Sequence, residues 1–193
     1  MKKLNTVFTA LVFAAILAGN AYADEIELVA EIPSQGGYNI DWITAIQVLD
    51  NHPDEIVFAT RNQGAGCGGG SPISMWKLIR DPLNVVLKQH LSQIQDIRRS
   101  LFESSDETLF TGSGWCGYKP PYYSIDGGES WQTANVGVHP PNSTFSYVEF
   151  NGDVYAGTGY APYHGQVYRW LDGGSWELVL DIAPPRRRLN FFY

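Results

Sequence analysis

Apolar and polar residues alternate through this chain in short runs bounded by Gly, Pro, Asn, Asp and Ser, and hardly any stretch repeats with the period of an amphipathic helix. Val148 and Phe150, then Val154 and Ala156, fall on alternate positions, as a pleated strand with one face packed requires. One such segment recurs. Residues 54–60 (DEIVFAT), 106–112 (DETLFTG) and 152–158 (GDVYAGT) share a plan, and their aromatic markers Phe58, Phe110 and Tyr155 are spaced by 52 and 45 residues.

A second repeat is built on turns. Ser124-Ile125-Asp126-Gly127-Gly128-Glu129-Ser130-Trp131 is echoed by Trp170-Leu171-Asp172-Gly173-Gly174-Ser175-Trp176 and by a glycine-free remnant at Arg80-Asp81-Pro82, with aspartates 45 and 46 residues apart. Units of this length, each holding several strands and turns, predict an all-β chain: a β-propeller of four-stranded antiparallel blades. The expected blades are 42–90, 94–137 and 144–183. Inner strands are expected at 42–49, 97–103 and 145–150. The recurring segment supplies the second strands, 73–78, 122–125 and 166–171 the third, and 84–88, 131–136 and 176–182 the outermost. Residues 24–33 match the last outer strand (IELVAEIP against WELVLDIAP) and stand as an orphan outer strand. About three blades fall short of the roughly four that close a ring. The propeller is therefore expected to be partial: a piece of a longer one, a prematurely ended one, or an arc that self-associates through its open edge.

In the turn, the Asp126 carboxylate can accept hydrogen bonds from its own backbone, Gly127 and Gly128 can take positive φ, and Trp131 can pack beneath. Ser124, Asp126, Gly128 and Trp131, with Asp172 and Trp176 in the echo, are accordingly expected to be structural. The stretch resembles the S-x-D-x-G-x-T-W Asp box of the BNR, or sialidase-like, β-propeller superfamily, with Ser130 in place of Thr. The resemblance implies the propeller fold but no single activity, because the superfamily holds glycosidases, receptors and assembly factors. A sialidase would need an arginine triad, a tyrosine nucleophile with its Glu, an acid/base Asp and an R-I-P motif. That motif is missing, and Arg61, Arg98 and Arg99 do not align with a triad. No catalytic residue is carried over.

Residues 1–23 carry Lys2 and Lys3, an apolar run from Val7 to Ala18 and Ala21-Tyr22-Ala23, the pattern of a signal peptide cleaved before Asp24. The mature protein is expected to be secreted or periplasmic, without a membrane anchor. Cleavage removes two of the 13 basic residues and none of the 20 acidic ones, moving the formal charge from −7 to −9. Such a surface repels phosphate backbones, so no nucleic acid is expected as partner. Two cysteines in an exported chain, Cys67 and Cys116, predict a disulfide.

Loops joining second to third strands open on the end opposite the boxes, where function is expected. They hold Arg61 and Cys67, then Trp115, Cys116 and Tyr118, then Tyr160, Tyr163 and His164. Aromatic rings beside Arg and His suit a glycan or protein ligand. No metal site and no cofactor is expected, since His164 has no second ligand at a metal-binding spacing. No elbow, zincin or phosphate-loop motif occurs. The reading is an exported noncatalytic binding module. The alternatives are a fragment of a sialidase-like or other glycoside hydrolase, for which Asp41 and Asp96 are the carboxyl pair, and a nonfunctional truncated product.

Overall fold

The computed structural model describes residues 31–32, 40–62, 72–91, 100–112, 121–136, 144–159 and 165–182. Among them the chain is all strand and turn, and it forms three consecutive blades of a β-propeller, each a four-stranded antiparallel meander. The first blade is β1 (Ile40–Leu49), β2 (His52–Asn62), β3 (Ile73–Arg80) and β4 (Leu83–Leu91). The second is β5 (Leu101–Glu103), β6 (Leu109–Thr111), β7 (Tyr122–Ser124) and β8 (Gln132–Thr133). The third is β10 (Thr144–Phe150), β11 (Asp153–Thr158), β12 (Gly165–Leu171) and β13 (Ser175–Ile182). Between them, β9 (Asn135–Val136) leaves the second blade's outer edge and pairs in parallel with β13, lacing two blades together.

Antiparallel order puts the turns at 50–51, 81–82, 104–108, 125–131, 151–152 and 172–174 at one end, the box end. The opposite end, where each second strand finishes and each third strand begins, is the loop end, and residues 63–71, 113–120 and 160–164 lie outside the described residues.

Burial follows from how many faces of each blade are covered. β2 runs Ile56-Val57-Phe58-Ala59 without a polar break because both its faces are packed, whereas β11 alternates, with Val154, Ala156 and Thr158 buried. At the first seam Ala45, Leu49, Val57, Ala59, Ile73, Met75 and Leu91 meet Leu109, Tyr122 and Trp131 of the second blade. The second seam is aromatic: Phe110 stands edge-on to Trp170 and Trp176 at centroid distances of 5.0 and 5.5 Å, with Tyr147 at 5.7 Å. The first blade's far face holds Phe58, Trp76 and Leu78, and Ile32 packs on it.

The shared second-strand segment differs in one respect from its sequence pattern. Phe110 faces the following blade and Tyr155 lies on the corresponding face of its own blade, but Phe58 faces the opposite way. The register shift between Val48 and Leu49, where Ile56 and then His52 are the partners, puts an odd number of extra residues on β2 ahead of Phe58, and an odd shift reverses the face a side chain takes.

Candidate functional site

Side chains at the two ends have different occupations. At the loop end, Trp42 near the start of β1 is half exposed, at 53%, and the Arg61 guanidinium at the end of β2 lies 4.8 Å from its ring centroid. β1 is the first blade's inner edge strand, so Trp42 presents a flat apolar face near the propeller axis with a cation stacked on it. That pairing suits a ligand with a flat apolar face and hydrogen-bond acceptors.

Close by, Ser74, His90 and Asn62 form a buried polar knot. Ser74 Oγ is 2.9 Å from His90 Nδ1, and Asn62 Nδ2 donates to Ser74 Oγ at 3.0 Å and to the Pro72 carbonyl at 2.7 Å. A serine beside a histidine suggests a nucleophile. Ser74 is only 1% exposed, however, so no acyl group can reach its oxygen. The knot pins β2, β3 and β4 to one another.

The box end is occupied by turn locks and seam clamps. Asp126 Oδ1 accepts from Ser124 Oγ at 2.7 Å and from the Ser130 N–H at 2.9 Å, Oδ2 accepts from Ser130 Oγ at 2.5 Å, and the Gly128 N–H donates to Ser124 Oγ at 2.9 Å. Burial works against ionisation of Asp126, but these bonds outweigh it and hold the carboxyl below its ordinary value. Gly127 and Gly128 both have positive φ, of 63° and 85°. Trp131, 4% exposed, packs against the first blade, and Gln89 of β4 brackets it by accepting from its N–H and donating to its carbonyl. In the shorter echo, Asp172 sits in an exposed turn and Trp176 is buried in the second seam.

Beside the turn, Lys77 Nζ lies 2.6 Å from Glu55 and 3.0 Å from Glu129, and Lys88 Nζ lies 2.7 Å from Glu129. Burial disfavours the Lys77 ammonium, yet the bonds to Glu55 and Glu129 prevail and raise its pKa. Lys88, then Lys77, lower that of Glu129. A further clamp recurs at the inner strands. Glu103 on β5 reaches back to accept from the Asp50 N–H in the first blade's turn at 2.8 Å, and Glu149 on β10 does the same for the Ser105 N–H at 2.7 Å and the Ser105 hydroxyl. Burial pushes the Glu103 carboxyl up, against the opposing pull of the Asp50 N–H.

Of the expected ligand-binding residues, Arg61 is placed as above. Trp115, Tyr118, Tyr160, Tyr163 and His164 lie outside the described residues, as do Asp96, Cys67 and Cys116. Asp41 lies on β1, its side chain not among those described. Trp42 and the seam glutamates were not singled out by the sequence reading. The glutamates had a local signal, since Glu103 and Glu149 stand one and two residues before a turn. Among the described residues no group of three His, Cys, Asp or Glu side chains could hold a metal ion.

Comparison with known proteins adds little to the geometry. No family model and no curated protein matches the chain. A crystal structure described, provisionally, as a gluconolactonase is similar over 77% of this chain and 52% of its own, at 12% identity and a TM-score of 0.48, so the chain spans about half the length of that protein.

Proposed function

We propose that the protein is an exported, noncatalytic β-propeller module that binds a glycan or a protein partner at its loop end. In this reading the Ser124–Trp131 turn is an Asp box of the sialidase-like type, Cys67 and Cys116 staple two loops, and the loop aromatics extend the surface begun by Trp42. The observation that carries it is the half-exposed Trp42 ring with Arg61 stacked on it at the loop end. Exposed aromatic–cation pairs give contact area and a polar handle at small ordering cost.

The test is a glycan array and a set of exported proteins probed with the wild-type chain and with Trp42→Ala, followed by titration of intrinsic fluorescence. Binding by the wild type and its loss in Trp42→Ala, with the thermal midpoint unchanged, supports the reading. Turnover of fluorogenic glycosides that disappears in Asp41→Asn or Asp96→Asn would replace it with a glycoside hydrolase.

A further inference from the structure

The two internal seams obey one rule. At each, the third strand of a blade reaches the outer turn of the next blade. Lys77 on β3 meets Glu129, and Tyr123 on β7 lies so close to Gly174 that a Cβ there would stand 2.6 Å from the tyrosine oxygen. The corresponding position on the third blade is Arg169 on β12. It lies on the face turned away from the second blade, held at 2.7 Å by Glu177 and at 3.9 Å by Asp153. That face is apolar and open: Val148 and Phe150 on the inner strand are 56% and 64% exposed, and Leu171, Leu180 and Ile182 continue the patch.

The other end of the arc carries a matching surface. On the first blade's far face, Ile46 and Val48 on β1 and Leu83 on β4 are about half exposed, and beside Leu83 the outer turn presents the exposed Asp81. Val48 is informative because it stands two residues before Asp50, as Glu103 stands two before Ser105 and Glu149 two before Asn151. A glutamate there caps the turn of a preceding blade. A valine there suits an apolar neighbour instead.

We propose that a second copy of this chain covers the third blade, presenting its own first blade, and that the same contact in reverse closes a six-bladed ring with twofold symmetry. Continuity with the internal seams selects this occupant. At the first seam β1 packs beside β5, so at the new seam β10 packs beside β1 of the second copy, with Val148 and Phe150 against Ile46 and Val48. The third-strand rule then brings Arg169 to the outer turn of the second copy, where Asp81 supplies the opposite charge. Six blades lie within the usual range of about four to eight, and a rotation that closes leaves neither end open.

Sedimentation equilibrium of the full exported chain over a wide concentration range tests the ring. The expected species is two chains and no larger. Phe150→Lys and Leu83→Lys, at opposite ends of the arc and both solvent-exposed in one copy, should each weaken the dimer by about a hundredfold or more, because the contact occurs twice. Mixing the two variants should restore a two-chain species through the one intact seam. Asp81→Lys should also weaken it, and Arg169→Asp in the same chain should recover part of the loss. The proposal is overturned by a single-chain mass at every concentration, by an open ladder of higher oligomers, or by a dimer indifferent to Phe150→Lys. It is equally overturned if removing residues 184–193 turns a monomer into the dimer, since the chain's own end would then be the cover.

Discussion

At Gly128 a positive φ coincides with close packing on buried aliphatic side chains of the first seam, and Gly128→Ala tests the seam logic directly. The residue has φ of +85°, and a Cβ on it would stand 2.9 Å from Val57 Cγ2 and 3.4 Å from both Val57 Cγ1 and Leu109 Cδ1. Val57 and Leu109 are fully buried in the first seam, so neither can move aside freely. Left-handed backbone in a residue with a Cβ costs roughly 1–2 kcal/mol, and overpacking a tight core adds about 1–3 kcal/mol, for a total near 2–5 kcal/mol. Gly127 provides the control: its φ is +63°, yet its nearest neighbours are Lys77 Nζ at 3.7 Å and Leu49 Cδ1 at 3.9 Å. Gly127→Ala should therefore cost only the backbone component, roughly 1–2 kcal/mol. Denaturant unfolding followed by tryptophan fluorescence measures both, and Val57→Ala combined with Gly128→Ala closes a double-mutant cycle. Removing the valine methyls should recover the overpacking component, leaving the double variant less destabilised than the sum of the singles. Equal costs at Gly127 and Gly128, or strict additivity of Gly128→Ala with Val57→Ala, would refute the claim that the turn is fitted against the preceding blade.

Two further outcomes follow from the seams. Phe110→Ala empties the centre of the aromatic seam and should cost about 3–5 kcal/mol, with loss of near-ultraviolet circular dichroism from Trp170 and Trp176. Stability should be flat near neutral pH and fall on both sides. Asp126 and Glu129 have lowered pKa values, so their contributions are complete above the ordinary carboxylate values of 3.8 and 4.5 and are lost as pH falls through the folded values; Lys77 has a raised one, so its contribution is complete below 10.5 and is lost as pH rises through its folded value. Unfolding titrations of the wild type, Lys77→Met and Glu129→Gln check this, since the alkaline limb should flatten in the first and the acid limb in the second.

The blade architecture was legible because it rests on periodic features: strand alternation, turn residues and a spacing of about 45 residues. What the spacing could not show is which way a side chain faces. Phe58, Phe110 and Tyr155 align in sequence, but Phe58 is turned away from the seam that its counterpart Phe110 builds on the second blade, and the register shift between Val48 and Leu49 lies between Phe58 and its turn. Bulges depend on tertiary packing and leave little trace in a residue pattern. The seam clamps were hidden for a related reason. Lys77 and Glu129 are 52 residues apart, and Glu103 acts on the backbone N–H of Asp50 rather than on any side chain. In the sequence Trp42 is only the first residue of an expected strand. Only its position on the inner edge, with Arg61 brought beside it by β2, makes it a surface feature.

Where the carboxylates are engaged bears on which end can do chemistry or bind. At the box end Asp106 is held by Ser104 and Thr108, Asp126 by its own turn, Glu129 by two lysines, and Glu103 and Glu149 by backbone N–H groups of a neighbouring blade. A carboxylate so engaged is a poor proton shuttle, because protonating it breaks bonds that hold a turn or a seam. The acidic residues gathered there are thus explained by the need to bind blades whose turns would otherwise leave backbone N–H groups without partners. At the loop end Trp42 is 53% exposed, with the Arg61 guanidinium over its ring. A ring exposed over half its surface gains burial free energy only when something covers it, and that is the physical ground for the binding site proposed at the loop end.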